Sequence, residues 1–245
     1  MKRYVLFGAA FLLSGSLLAA DAKEEVTAAV KKLADASSYG WKTTTEMGGG
    51  QGGGRLGPGT TEGAASKDGW ICVKMIRGDN VTEGVIKGDK AALKTDDGWQ
   101  SVAELTAGGG GGGGQPGNRG RWMARTLQNY KAPAKEVADM LPQLKSLKKE
   151  GDAYVGEMTE EGVRALLRMG RPGGGGGNAP EPRDPKGSVK IWLKDGALAK
   201  YEYKVQATMS FQGNDMTIDR TTTVEIKDVG TAKVEVAEAA KKIVS

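Results

Sequence analysis

Histidine is absent from all 245 residues, and cysteine occurs once, as Cys72. The first absence removes the commonest general base and the commonest metal ligand together, so Ser-His and Cys-His catalysis are excluded. Zinc sites built on histidine or on several cysteines go with them, because one thiolate cannot make a cluster. The lone Cys72 cannot form an internal disulfide, so the chain must hold itself together by burial. Its place in an apolar run reads as a small core residue, with a reactive thiol or an intermolecular bridge as the alternative. Neither a G-x-S-x-G nucleophile elbow nor a glycine-rich phosphate loop followed by Lys-Ser or Lys-Thr occurs, and no cofactor is expected. Three carboxylate pairs remain: Asp96 with Asp97, Glu160 with Glu161, and Asp215 with Asp219. Each has a local structural reading, as hairpin-turn chemistry, as the acidic first turn of a helix, and as the border of a turn. No enzymatic activity is expected.

At the amino terminus Lys2 and Arg3 precede an apolar run from Tyr4 to Leu18, interrupted only by small residues. Residues 1–22 read as a secretory signal peptide, cleaved after Ala20 or after Ala22. The run is short for a membrane span and is soon followed by charges, leaving an uncleaved anchor as the alternative. No cysteine ends the run, so lipidation is not expected there. The protein should cross the inner membrane to the periplasm, without stable membrane insertion after cleavage. The remaining 223 residues (245 less 22) suit a single domain, residues 23–245. Net charge is +5, and loss of Lys2, Arg3 and Asp21 with the leader leaves +4. That excess permits only weak attraction to anionic headgroups or cell-wall polymers.

Glycine is abundant, with 39 residues concentrated in tracts at 48–59, 108–120 and 170–187. These read as loop insertions at the surface of one domain. Arg55, Arg119, Arg121 and Arg171 flank them in the manner of RGG segments, but export and the lack of interleaved aromatics argue against nucleic acid.

The strongest pattern is the alternation through Ala197–Phe211 and Met216–Ile226, which predicts one long hairpin. Tyr201, Tyr203, Val205, Ala207, Met209 and Phe211 share a face with Ala197 and Ala199. A turn centred on Gly213-Asn214 would set Phe211 opposite Met216 and Tyr203 opposite Val224. Fifteen residues at strand rise span about 50 Å, which implies a bent sheet. Upstream, the pattern predicts a helix from Glu24 to about Ser37 with Val26, Val30 and Leu33 on one face, and a strand over Tyr39–Met47. Strands follow at Thr60–Ser66, Trp70–Arg77, Val81–Lys87 and Ala91–Thr95, and a further one enters at Trp99, separated by Asp-Gly signals. A helical middle carries stripes Met123/Leu127/Tyr130 and Val137/Met140/Leu141/Leu144, with Pro133 able to open the second helix and Pro142 to end it. Lys148–Met158 reads as one strand, Thr159 as the cap of a helix burying Val163, Leu166 and Leu167, Ser188 as the start of the long strands, and Thr231–Val236 as the strand that closes the sheet. Ala237–Val244 reads as a final helix.

The export signal, the amphipathic first helix, the meander through Ile86-Lys87-Gly88-Asp89-Lys90 and Asp97-Gly98-Trp99, and the segment Gly187-Ser188-Val189-Lys190-Ile191-Trp192-Leu193-Lys194-Asp195-Gly196 together resemble the LolA-type superfamily of envelope lipoprotein and lipid carriers. That superfamily includes the mycobacterial lipid-binding lipoproteins of the LppX-LprG kind. The resemblance implies an α+β fold: a curved, incompletely closed antiparallel β-barrel with a helical lid on its concave face. It also implies a hydrophobic cavity for acyl chains and no catalytic residue. Such a concave face would be filled by Met140, Leu141, Leu144, Leu166 and Leu167. Two functional classes stay open. In the carrier reading, Tyr203, Val205, Met209, Ile218 and Val224, with Met140, Leu144 and Leu166, receive a lipid, an acyl chain or a lipoprotein anchor. In the interaction reading the interior is filled, and the surface docks or senses an envelope protein partner.

Overall fold

The structure is a computed structural model that describes residues 14–48, 59–107, 117–169, 181–211 and 214–245. The chain opens with α1 (Ser14–Ala34) and a meander of six strands, β1 (Ser38–Met47), β2 (Gly59–Ser66), β3 (Trp70–Arg77), β4 (Asn80–Lys87), β5 (Lys90–Thr95) and β6 (Gly98–Ser101). Three helices follow: α2 (Val102–Ala107), α3 (Gly117–Gln128) and α4 (Pro133–Met140), the last tightened by a 3-10 turn at Leu141–Gln143. The second half runs β7 (Leu144–Glu150), β8 (Ala153–Met158), α5 (Glu160–Met169), β9 (Arg183–Lys194), β10 (Ala197–Phe211), β11 (Asn214–Lys227) and α6 (Glu238–Val244).

All eleven strands join one antiparallel sheet in the order β6-β5-β4-β3-β2-β1-β11-β10-β9-β8-β7. The two meanders meet at the pairing of β1 with β11, where Trp41 stands opposite Ile226 and Thr43 opposite Val224. Strands β6 and β7 are left as free edges, and the segment connecting them carries α2, α3 and α4 from one edge to the other. The expected curved, incompletely closed barrel is therefore corrected: the sheet is open, neither closed into a barrel nor strongly curled. Strand length does not force curling here, because helices laid over the apolar face bury it without closure.

The main core lies between that face and helices α1, α3, α4 and α5. It joins Val26, Val30 and Leu33 of α1 with Trp41, Val73, Leu93, Tyr201, Val205 and Val224 of the sheet. A second, smaller core occupies the opposite face, where Ala240 and Val244 of α6 cover Val85 and Ala92. The alternation in β4 and β5 thus buries side chains on both faces near the β6 edge.

Most expected elements stand, and the departures have local causes. The register of β10 with β11 pairs Met209 with Met216 and Tyr203 with Thr222, two residues away from the expected pairing. A two-residue shift preserves the face of every side chain, whereas a shift of one would invert it. A bulge between Leu198 and Lys200 turns Leu198 into the core in place of Ala197 and Ala199. Leu144 opens β7 instead of continuing a helix, because Pro142 ends the helical run. The expected single strand over 148–158 is a hairpin, β7 and β8, turning at Gly151 with φ of 63°. Residues 231–236 form no strand but run over the outer face towards α6. Strand β9 begins at Arg183, inside the stretch expected to be an insertion, and most of the glycine tracts lie outside the described residues. Thr159 caps α5 as expected, its hydroxyl accepting the Gly162 N–H at 3.1 Å.

Two outcomes test this arrangement. Gly63 of β2 pairs with Trp41, and a Cβ there would collide with the buried indole ring. Gly63→Ala should cost about 1–3 kcal/mol in urea unfolding, with the slope of the transition unchanged; an unaltered midpoint would mean that Trp41 does not close over Gly63. Helix α1 runs through both expected cleavage points, and Ala22 is 3% exposed in the main core. Cleavage that keeps this contact leaves Asp21 as the first residue. Amino-terminal sequencing of the exported protein should find Asp21, and a protein starting at Lys23 should melt lower.

Candidate functional site

Helix α4 carries two different surfaces, because Ala134, Ala138 and Leu141 fall on one side of the helical run and Glu136 on the other. Ala132-Pro133 starts it in an extended-to-helical step, with proline at the first turn where its missing N–H costs nothing. The first surface faces α1 across a cleft of about 590 Å³. Its walls are Val30 and Ala34 of α1, Tyr39, Ala65 and Ile71 of the sheet, and Ala134, Ala138 and Leu141. Alanines where larger residues would fill the gap leave the space between the two helices open.

Four lysines, Lys23, Lys31, Lys67 and Lys135, also line this cleft, and no carboxylate among the described residues does. Lys31 pairs with Asp35 at 3.1 Å, and Lys135 shares Asp139 with Lys131. Both lysines beside Asp139 hold its carboxyl below the usual range. Ser66 lines the same wall, its hydroxyl buried without a hydrogen-bond partner among the described residues.

The second surface of α4 presses Glu136 against the sheet. Its carboxylate accepts hydrogen bonds from the hydroxyls of Tyr201 and, at 3.3 Å, Tyr203, whose rings stack 6.4 Å apart. Burial drives the Glu136 carboxyl above its ordinary value, opposed by the two tyrosine hydrogen bonds and by Arg220 and Lys131. Burial and the neighbouring carboxylate raise Tyr201 and Tyr203 in turn. Arg220 shares the core face because it pairs with Val205; it donates from Nη2 to the Leu166 carbonyl at 3.0 Å, while its Nε is buried without a partner among the described residues. Trp41 donates from Nε1 to the Tyr130 hydroxyl at 2.9 Å and packs 5.7 Å from Tyr39, which lines the cleft. Polar network and cleft thus share α4 and the rings of β1.

A larger recess of about 750 Å³ lies on the outer face under residues 233–237. Glu62, Glu83 and Glu235 line it together with Lys74, Lys227 and Lys233, so it offers neither an apolar lining nor one sign of charge. Cys72 is half-buried there, its Sγ 3.5 Å from the Glu235 carbonyl, and burial raises its thiol above the ordinary value.

The residues expected to receive a ligand lie elsewhere. Tyr203, Val205, Met209, Val224 and Met140 are buried, and Ile218, Leu144 and Leu166 are half-buried against the main core. None of the eight lines the cleft beside α4. Of the carboxylate pairs, Asp215 bonds Ser210 and Arg183, whereas Asp219 bonds Gln206 and Lys204. Among the described residues no three Cys, Asp or Glu side chains gather to hold a metal. The sequence reading missed Glu136 and the alanine wall. A signal existed for the first: two tyrosines facing inward on one strand need acceptors for their hydroxyls.

Glu136 makes stability depend on pH. Its folded-state value is raised above 4.5, so the native state holds more protons than the unfolded state as pH rises from there. Stability from this group is greatest in acid and declines as pH climbs through the raised value. Glu136→Gln removes the titration, so its melting temperature relative to wild type should increase as pH is raised above 4.5. A constant difference across the range would contradict the burial of this carboxyl.

No family model and no curated protein matches the chain. Among solved structures it is similar to the Mycobacterium tuberculosis lipoprotein LppX, at 10% identity, over 89% of this chain and 99% of that one, with a TM-score of 0.46. LprF of Mycobacterium bovis is similar at 11% identity over 90% and 98% of the two chains, with a TM-score of 0.42. A LolA superfamily protein of Nitrosomonas europaea is similar at 12% identity over 93% and 97%, with a TM-score of 0.38.

Proposed function

We propose that the protein is an exported, non-enzymatic binding protein of the periplasm that holds an acyl chain, from a lipid or a lipoprotein anchor, in the cleft between α1 and α4. The observation that carries this reading is the cleft itself: about 590 Å³, walled by Val30, Tyr39, Ile71, Ala134, Ala138 and Leu141. That volume lies within the range of about 300–1,000 Å³ typical of small-ligand sites, and an apolar lining with a few polar groups at the margin is their usual character. An acyl chain entering there gains the burial of its methylenes, each worth about 0.8 kcal/mol. The residues of the sheet's core face, Tyr203, Val205 and Val224 among them, act in this reading as a packed support beneath the helices.

Ala138 is exposed on α4 and lines the cleft, so Ala138→Phe should fill the space without disturbing the core. Wild type should take up the neutral probe N-phenyl-1-naphthylamine and a fluorescent fatty acid saturably. Ala138→Phe should weaken both by about tenfold, near 1.4 kcal/mol, at an unchanged melting temperature. Absence of saturable uptake by wild type, or equal uptake by the variant, would move the site away from this cleft.

A further inference from the structure

The cleft beside α4 has a one-sided electrostatic character. Lys23, Lys31, Lys67 and Lys135 all contribute to its lining, and no Asp or Glu among the described residues does. Their commitments differ. Lys31 and Lys135 have carboxylate partners, Asp35 and Asp139, whereas Lys23 and Lys67 form no ion pair among the described residues. Lys67 is fixed in place by its backbone, since its N–H donates to the Ser37 carbonyl at 2.9 Å just beyond the end of α1. Lys23 stands two helical turns before Lys31, towards the start of the same helix. The uncommitted ammonium groups therefore flank the apolar floor instead of clustering at one point. An ammonium on a flexible stem can lay its methylenes along the apolar wall and keep its charge at the water boundary.

We propose that the cleft selects amphiphiles with an anionic headgroup, a carboxylate or a phosphate monoester on a single acyl chain, and that Lys23 and Lys67 are the residues that select it. This rests on the acyl-chain reading above and adds the sign of the headgroup to it. The apolar floor gives affinity without discriminating among headgroups, because burial is non-directional. Discrimination comes from the margin, where an anion meets unpaired ammonium groups, a cation meets repulsion, and a neutral hydroxyl meets neither. The distance along α1 between Lys23 and the turn that carries Lys67 lets either end of the cleft receive the headgroup. A headgroup engages one end at a time, so a single exposed ammonium–anion pair sets a preference of about twofold to fivefold for the anion over its neutral counterpart.

The test compares hexadecanoate, hexadecyl phosphate and hexadecanol, each displacing N-phenyl-1-naphthylamine from the full exported protein. The readout is the ratio of their affinities, which cancels any loss of apolar contact with the lysine stems. Wild type should prefer both anions by about twofold to fivefold at about 0.01 M salt, and the preference should shrink at about 1 M, where the Debye length falls to about 3 Å. Lys23→Gln with Lys67→Gln should bring the ratio close to one, and the single variants should show which end holds the headgroup. Inorganic phosphate alone should displace nothing; if it competes with hexadecyl phosphate but hexadecanol does not bind, the site is for a free anion and the proposal falls. If all three amphiphiles bind alike, or the double variant keeps the preference, headgroup selection is overturned while the acyl site stands. If none of them binds, the acyl site itself is lost and this inference with it.

Discussion

The carboxylate of Glu136, enclosed between α4 and the sheet, is the contact on which the arrangement of the helical side depends. A buried carboxyl is costly unless hydrogen-bonded, and here the partners are Tyr201 and Tyr203, two residues apart on the same face of β10. Those tyrosines need acceptors as much as Glu136 needs donors, so each side of the contact satisfies a group the other would leave unpaired. Apolar packing alone would tolerate small slides of a short helix over the sheet. A hydrogen-bonded carboxylate tolerates far less, because displacement leaves polar atoms buried without partners. The orientation of α4 follows, and with it the direction in which Ala134 and Ala138 face.

That orientation explains why the open space lies between helices and not between helices and sheet. On the sheet side, Val137 and Met140 join Trp41, Tyr201 and Val205 in a continuous core, and the large aromatic rings leave little room. On the other side α4 presents alanine to α1, and α1 presents Val30, Lys31 and Ala34. Filling such a gap needs only a few larger side chains, and the sequence supplies none. The cleft is bounded by elements held down independently: α1 by Val26, Val30 and Leu33, α4 by Val137 and Glu136, and Tyr39 by its place beside Trp41. A ligand entering there would not have to displace the core.

Much of the fold could be read from residue order. The period of two in β10 and β11, the Asp-Gly turns of the first meander, Pro133 at the start of α4 and Thr159 at the start of α5 all act locally, and all appear where the pattern puts them. Closure of the sheet could not be read in this way. Whether a sheet curls into a barrel depends on how its edges are treated, and β6 and β7 carry no signal that would distinguish a free edge from a paired one. The alternation in β10 also could not reveal the bulge beside Leu198, because a bulge changes facing without changing composition. Of the candidate site, the inward tyrosines were legible and their partner was not: Glu136 lies 65 residues from Tyr201, and only tertiary packing brings them together. The alanines of α4 look like ordinary helix formers until a second helix stands opposite them.

The position of the cleft also bears on export. Its α1 wall begins at Lys23, immediately after the segment that reads as a leader, so the expected cleavage would trim the helix at the edge of the cleft. The anchoring stripe survives that trimming, because Val26, Val30 and Leu33 all lie downstream and are buried against the sheet. Helix α1 as described starts at Ser14, inside the segment that reads as a leader. Cleavage there would give the first turn a new α-ammonium group close to Lys23, adding positive charge at that end of the cleft. A helix start is electrostatically unfavourable for such charge, since the dipole already places partial positive charge there. An anionic ligand at that end would relieve both at once. Removal of the leader would then leave the cleft intact while making the first turn of α1 the part that would gain most from an anion.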